Sequence, residues 1–288
     1  MINLDVIRKT FIYLLCVGTV FATISCSKTT QTSSNEDTLE RIRRTGQIDA
    51  CTAIDPPYTI KDAKTGAYSG IYVDAMNLIA QKMNAKIVWH ETTFGNATGD
   101  LAAGRCDVMV SDFFANIPRS MTVAFTLPAM EYMGLGVLVR KEDPRFMKIH
   151  DAFELDRPDL TIVTASGEAG NLFIKDNFKK AKEKQIDVES SDLNRFCVEV
   201  STNRADAAIA GSELIDRYAR QHPEVRNLFA GHPFSLNPIG WAVRQDDVKW
   251  LHFLETALQF LDTQGTIAQL EKKYNAHALH LVKQYKLQ

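Results

Sequence analysis

Cysteine is scarce, with five in 288 residues, too few for a chain held by disulfides in place of a core. An excess of basic charge is missing too. The formal net charge is -2, from 33 basic and 35 acidic side chains, so the basic footprint of a nucleic-acid partner is absent. Glycine and proline number 15 and 9, background levels that exclude collagen-like and low-complexity chains. No apolar run reaches the about 20 residues of a membrane-spanning helix. Ala165-Ser166-Gly167-Glu168 lacks the G-x-S-x-G frame of a nucleophile elbow. His277-x-x-His280 is the one close histidine pair, and in the tail it reads as incidental rather than metal-binding. No cofactor, metal or catalytic residue is expected. What is present is 45% hydrophobic residues, enough for one or two cores, and a length that favours two domains.

Residues 1–25 read as an export signal. Arg8 and Lys9 form a basic n-region, and Phe11 to Thr23 is an apolar run of signal-peptide length. The run ends in Thr23-Ile24-Ser25-Cys26, which resembles a bacterial lipobox and makes Cys26 the candidate lipidation site. The alternative is a plain secretory signal cut nearby. Residues 26–37, rich in Ser, Thr and Asn, read as a solvated tether.

The remainder alternates strands and helices. Ile48–Thr52, Lys86–His90 and Asp107–Ser111 read as strands, separated by helices over Asp74–Asn84, with Asp74 placed to cap, and Ala97–Ala103. A second βαβαβ copy follows: strands at Leu160–Thr164, Ile186–Ser190 and Asp206–Ala210, helices at Gly170–Lys184 and Leu193–Asn203. Lys179, Lys180, Lys182 and Lys184 then form a solvated helix end. Gly104-Arg105-Cys106-Asp107 and Asn203-Arg204-Ala205-Asp206 precede the third strand of each copy, a shared signature that supports two similar lobes. Gly134–Arg140 and Ile239–Arg244 are β-rich and carry the chain across and back. Two helices split by Gly265 close the chain. The fold class is α/β, two βαβαβ lobes joined by a two-strand hinge. Lobe 1 takes residues 38–133 and 240–288, and lobe 2 takes 134–239. Ligands of such sheets bind beyond the carboxyl ends of the strands, so facing lobes make a cleft.

An ordered motif series now carries a resemblance. Leu39-Glu40-Arg41-Ile42 with Gly46, Pro56-Pro57-Tyr58, Gly70-Ile71-Tyr72-Val73-Asp74, Leu101 with Gly104-Arg105-Cys106-Asp107, Arg119, and Gly265-Thr266 with Lys273-Tyr274 lie in order between Thr38 and Tyr274. The chain resembles the family 3 extracellular solute-binding proteins, the amino-acid receptors of bacterial ABC importers, with a type II periplasmic binding fold. The resemblance implies that Arg119 grips a ligand carboxylate, for which a planar guanidinium offers two parallel charge-assisted bonds. It places Phe94 and Tyr58 on the aromatic wall, although core packing serves either equally well. Asn116 replaces the loop threonine and can donate to a carboxylate. Ser111 is a ligand contact or a plain strand-end hydroxyl.

The departures from the pattern are informative. Asp55 stands where a second aromatic usually sandwiches the ligand. Asp112 replaces a small residue after Ser111, and Glu168, after Gly167, replaces a Ser or Thr. Gly211 falls where the family's aspartate takes the α-amino group, with Ser212 and Glu213 beyond it. Three carboxylates have thus entered the expected cleft, and desolvated carboxylates need partners. The expected ligand is small, with one carboxylate for Arg119 and one or more cationic groups for Asp55, Asp112 or Glu168. Each acid is otherwise a solvated loop residue.

Part of the second lobe, Phe173–Ala181 with His222-Pro223-Glu224, resembles the periplasmic cyclohexadienyl dehydratases of the same fold, and Asn116 fits their loop. Their general-acid glutamate falls at or near Asn171, however, and an amide cannot deliver a proton. Glu168 is the substitute if burial raises its pKa. A sensory receptor is a third partner class beside the ABC permease. Cys51 and Cys106 fall on neighbouring strands of the expected sheet, and an oxidising compartment permits their bridge. Cys197 stays free. The expected protein is a monomeric periplasmic lipoprotein, anchored to a bacterial membrane through Cys26.

Overall fold

The computed structural model describes residues 37–127, 131–188, 192 and 194–276. The segment read as a signal, the expected tether up to residue 36, Cys26 and the His277/His280 pair therefore lie outside the described residues. Among those described, no helix is long and apolar enough to cross a membrane.

The first half of the fold begins with α1 (Thr38–Thr45), capped by Asp37 and ended by Gly46 at φ 67°. There follow β1 (Gln47–Thr52), a small hairpin of β2 (Ile60–Lys61) and β3 (Tyr68–Ser69), α2 (Ile71–Lys82), β4 (Lys86–Glu91), α3 (Ala97–Ala102), β5 (Val108–Met109), α4 (Ile117–Ser120) and β6 (Val123–Phe125). The second half contains β7 (Glu131–Arg140), β8 (Thr161–Ala165), α5 (Ala169–Asn177), β9 (Lys182–Ile186), α6 (Arg195–Ser201), β10 (Ala207–Gly211), α7 (Ser212–Gln221), β11 (Val225–Asn227) and β12 (Phe234–Ile239). The chain then returns through β13 (Ala242–Arg244), α8 (Val248–Thr263) and α9 (Thr266–Lys273).

Two separate sheets result. The first has the order β4-β1-β5-β13-β6 and the second β11-β7-β10-β8-β9, with β12 also on β7. β1 runs parallel to β4 and β5, and β8 runs parallel to β9 and β10, as helical crossovers require. The repeated Asp has the same job in both halves. Asp107 accepts the N–H of Asp49 in β1 and pairs with Arg41, while Asp206 accepts the N–H of Thr161 in β8 and pairs with Arg145. Each sheet is covered by helices whose buried residues recur at helical spacing, such as Ile71, Ala75 and Ile79 on α2 or Trp250, Leu254 and Leu258 on α8.

The two segments that cross between the sheets hydrogen-bond to each other. The Thr126 N–H donates to the Trp241 carbonyl, and the Trp241 N–H donates to Thr126 Oγ1. Next to them, Tyr72 stands edge-on to Trp241 and donates to Glu131, the first residue of β7. Cys51 and Cys106 are bridged, with Cα atoms 5.6 Å apart, and Cys197 is a buried free thiol.

Two expectations are corrected. The α2 helix starts three residues before Asp74, behind Gly70, whose φ of 123° and close approach to the Tyr58 carbonyl leave no room for a Cβ. Asp74 does not cap it and instead accepts from Lys273 and Tyr274, tying α2 to the end of the chain. The helix expected over Gly170–Lys184 stops at Asn177. The N–H groups of Lys179, Lys180 and Ala181 all donate to Asp156 Oδ1, which fixes a turn, and Lys182 and Lys184 ride the edge strand β9.

Candidate functional site

The strands of both sheets deliver their following loops to one place. Asp55 follows β1, Phe94 follows β4 and Asp112 follows β5, while Glu168 follows β8 and Gly211 ends β10. With Arg119 on α4, these six residues line one cavity between the two halves. Its remaining wall is apolar, with Phe114, Met133, Phe196 and Leu214 prominent.

Arg119 is buried, and Asn116 explains why its backbone is placed so firmly. Asn116 is the N-cap of α4 and accepts the Arg119 N–H through its side chain, so it serves the helix end. The Arg119 guanidinium lies 4.0 Å over the Phe113 ring. Nη1 donates to the Phe114 carbonyl at 3.0 Å, and Nη2 donates across the cleft to the Gly167 carbonyl at 3.1 Å. Among the described residues Arg119 forms no ion pair. Burial accordingly pulls its pKa down to about 10, against the pull of Glu168 and Asp112. Two carbonyls use two of its five N–H donors, and the others are left for a bidentate anion.

The acids differ in what they hold. Asp55 accepts from Arg217 Nη2 on α7 at 2.7 Å, and Arg217 Nη1 donates to the Pro56 carbonyl at 2.6 Å. Nothing along the chain marks Arg217 except that a buried Asp55 demands a cation. Asp112 accepts from Ser111 Oγ at 2.9 Å. Burial first, then the Asp55 charge, push the Asp112 carboxyl well above the usual carboxylate range. Ser111 is fully buried beneath Asp112 and outside the cavity wall. Glu168 faces the cavity from the turn before α5, and burial pushes its pKa to about 7, with Arg119 opposing.

Tyr58 does not line the cavity. Its ring packs 4.9 Å from Tyr72, and its hydroxyl donates to Glu213 of α7 at 2.9 Å. Burial and neighbouring Glu131 raise Glu213 to about 8. Asn171 is buried behind the site, where its amide donates to Glu183 and its oxygen accepts the Gly167 N–H; it orients the glycine turn and offers no acid. Two backbones also touch across the cleft. A Cβ on Gly95 would lie 2.7 Å from the Ser166 carbonyl oxygen, and one on Gly167 would lie 2.7 Å from the Gly95 Cα.

Two α/β halves, two crossing segments and a cavity between facing strand ends define the type II periplasmic binding class. The chain belongs to the bacterial extracellular solute-binding proteins, family 3, whose model matches residues 38–277. It is 24% identical over 229 residues to the cyclohexadienyl dehydratase of Pseudomonas aeruginosa, covering 77% of this chain and 82% of that one. It is 25% identical over 264 residues to the probable amino-acid-binding protein YxeM of Bacillus subtilis, covering 91% and 93%. Among solved structures it resembles the ancestral amino acid-binding protein AncCDT-1, a precursor of cyclohexadienyl dehydratase. There the TM-score is 0.70 at 26% identity, over 83% of this chain and 99% of that one.

Proposed function

We propose that this protein captures a small amino-acid-like solute by closing its two halves around it, and presents the closed form to a membrane ABC permease. The observation that carries this reading is the buried Arg119 guanidinium, which holds only neutral carbonyls while facing the cavity. A buried cation without a counter-ion is costly, and a ligand carboxylate removes that cost. Across the cavity Glu168 is the group for the ligand ammonium, taking the part that Gly211 cannot. The apolar wall receives the side chain. Closure follows because the ligand gains contacts from both halves only when they meet. The relatives named as amino-acid-binding support this ligand class, and one named as an ABC transporter-binding protein supports the partner. The lipobox at Cys26 supports a periplasmic protein held to a membrane by lipid.

The test is a thermal-shift and calorimetric screen of the exported chain carrying Cys26→Ser, against amino acids, opines and small carboxylates. A ligand at about 100 times its Kd adds about 2.7 kcal/mol, a rise of roughly 5–11 °C for a chain this size. No response to any carboxylate-bearing ligand overturns the reading.

One observation favours a second reading. Glu168, raised to about 7 beside Arg119, is poised to donate a proton to a leaving group, and the dehydratase relative shares the fold. Prephenate or arogenate added to the same preparation decides it. Appearance of phenylpyruvate or phenylalanine, lost in Glu168→Gln, makes the protein a dehydratase; their absence leaves the receptor.

A further inference from the structure

Asp55 is the acid of the cleft whose charge is already answered. The guanidinium that answers it comes from the opposite half, on α7, three residues beyond the cavity-lining Leu214. One arm of Arg217 holds the Asp55 carboxylate and the other the Pro56 carbonyl, with only 25% of the side chain exposed. Asp112 lines the same cavity beside Asp55. A guanidinium seated on a carboxylate and a carbonyl at the end of an apolar pocket is what a ligand with a cationic side chain would itself present there.

We propose that Arg217 is a specificity-determining residue of this cleft. It is a resident guanidinium that occupies the Asp55 end and excludes ligands with a cationic side chain. The inference rests on the receptor reading for its ligand class. It also reverses what the acids imply when counted alone, because three carboxylates in a cleft suggest a cationic ligand. Asp55 is paired by the chain itself, and Asp112 lies beside that finished pair. A ligand side-chain cation must then displace Arg217 from both partners or lie beside a like charge, and that repulsion is the discriminating element. Without the guanidinium, Asp55 and Asp112 face the cavity with no cation of the chain seated on Asp55. A buried carboxylate stripped of its partner is a strong demand for a cation.

The experiment titrates the exported chain with Cys26→Ser, otherwise native or carrying Arg217→Met, with neutral amino acids, arginine and ethylguanidine. Expected is weak or no binding of arginine to the native cleft, and at least about tenfold tighter binding by Arg217→Met, lost again when Asp55→Asn is added. Ethylguanidine, which has no carboxylate, is expected to stabilise Arg217→Met and not the native chain. Arginine bound by the native chain as tightly as a neutral amino acid overturns the proposal, as does an Arg217→Met chain that gains nothing. The first of these outcomes needs no variant and decides the matter if Arg217→Met does not fold. Failure of the receptor reading looks different: no amino acid binds the native chain, yet ethylguanidine still stabilises Arg217→Met through Asp55.

Discussion

Arg119 and Arg217 cross the same cleft in opposite directions, and the opposite roles proposed for them rest on their surroundings. Arg119 reaches from the first half to the Gly167 carbonyl, and Arg217 reaches from the second half to Asp55. Burial acts on both. For Arg119 nothing nearby offsets it fully, and the pKa falls to about 10. For Arg217 burial is outweighed by the charge and hydrogen bond of Asp55, and the pKa ends above its usual value. A buried cation on neutral acceptors is an unfinished ion pair that a ligand completes, whereas a cation on a carboxylate is already finished. Hence the pairing state separates binding residue from gatekeeper better than residue type does.

Breaking each arm of this comparison should give a different signature. Arg119→Met is expected to weaken ligand binding by about 100-fold or more, since truncating one side of a buried charge pair costs about 2–5 kcal/mol. Its ligand-free melting temperature is expected to stay level or rise, because an uncompensated buried charge has gone. Calorimetry and melting of one preparation check both. Arg217→Met reverses the pattern in the ligand-free protein. Losing a quarter-exposed pair costs about 2 kcal/mol, a fall of about 4–8 °C in melting temperature.

Two weaker perturbations sharpen the contrast. Gly95→Ala puts a methyl group against the Ser166 carbonyl without straining its own backbone. Affinity is expected to fall about tenfold, near 1.4 kcal/mol, and the ligand-bound radius of gyration in X-ray scattering should stay closer to that of the open form. The smallest effect is that of pH. Glu168 rises from 4.5 to about 7 and Glu213 from 4.5 to about 8 on folding, chiefly through burial. The folded state therefore holds more protons than the unfolded one between those values, and ligand-free stability falls as pH climbs through this window. Ligand affinity moves the other way, rising between about pH 6 and 8 as Glu168 ionises to meet an ammonium. Glu168→Gln should abolish the rise in affinity and leave the Glu213 part of the stability slope.

Much of this was legible in the sequence because local signals agreed. Gly265 splits α8 from α9 where expected, and the two turn-Arg/Ala-Asp signatures do equivalent work at Asp107 and Asp206. The β9 strand was hidden by its composition. Lys182-Glu183-Lys184-Gln185-Ile186 has one β-branched residue, as befits an edge strand kept charged against stray pairing, so it reads as helix. Six proposed site residues share the cavity, but Tyr58 turns to Tyr72 and Glu213, Ser111 lies beneath Asp112, and Asn116 caps α4. Arg217 was invisible for a different reason. On an amphipathic helix an arginine reads as solvated surface, and its partner lies 162 residues away.

The meeting of Gly95 with Gly167 has a consequence for what an outside partner can read. Main chain meets main chain there, so in the proposed closure the travel of the two halves ends at a mechanical stop that no side chain and no ligand dimension sets. Every cargo that lets the halves reach that stop yields the same outer contour. A partner docking on the shut molecule then receives a yes-or-no message: it learns that the cleft is full, and nothing of what fills it.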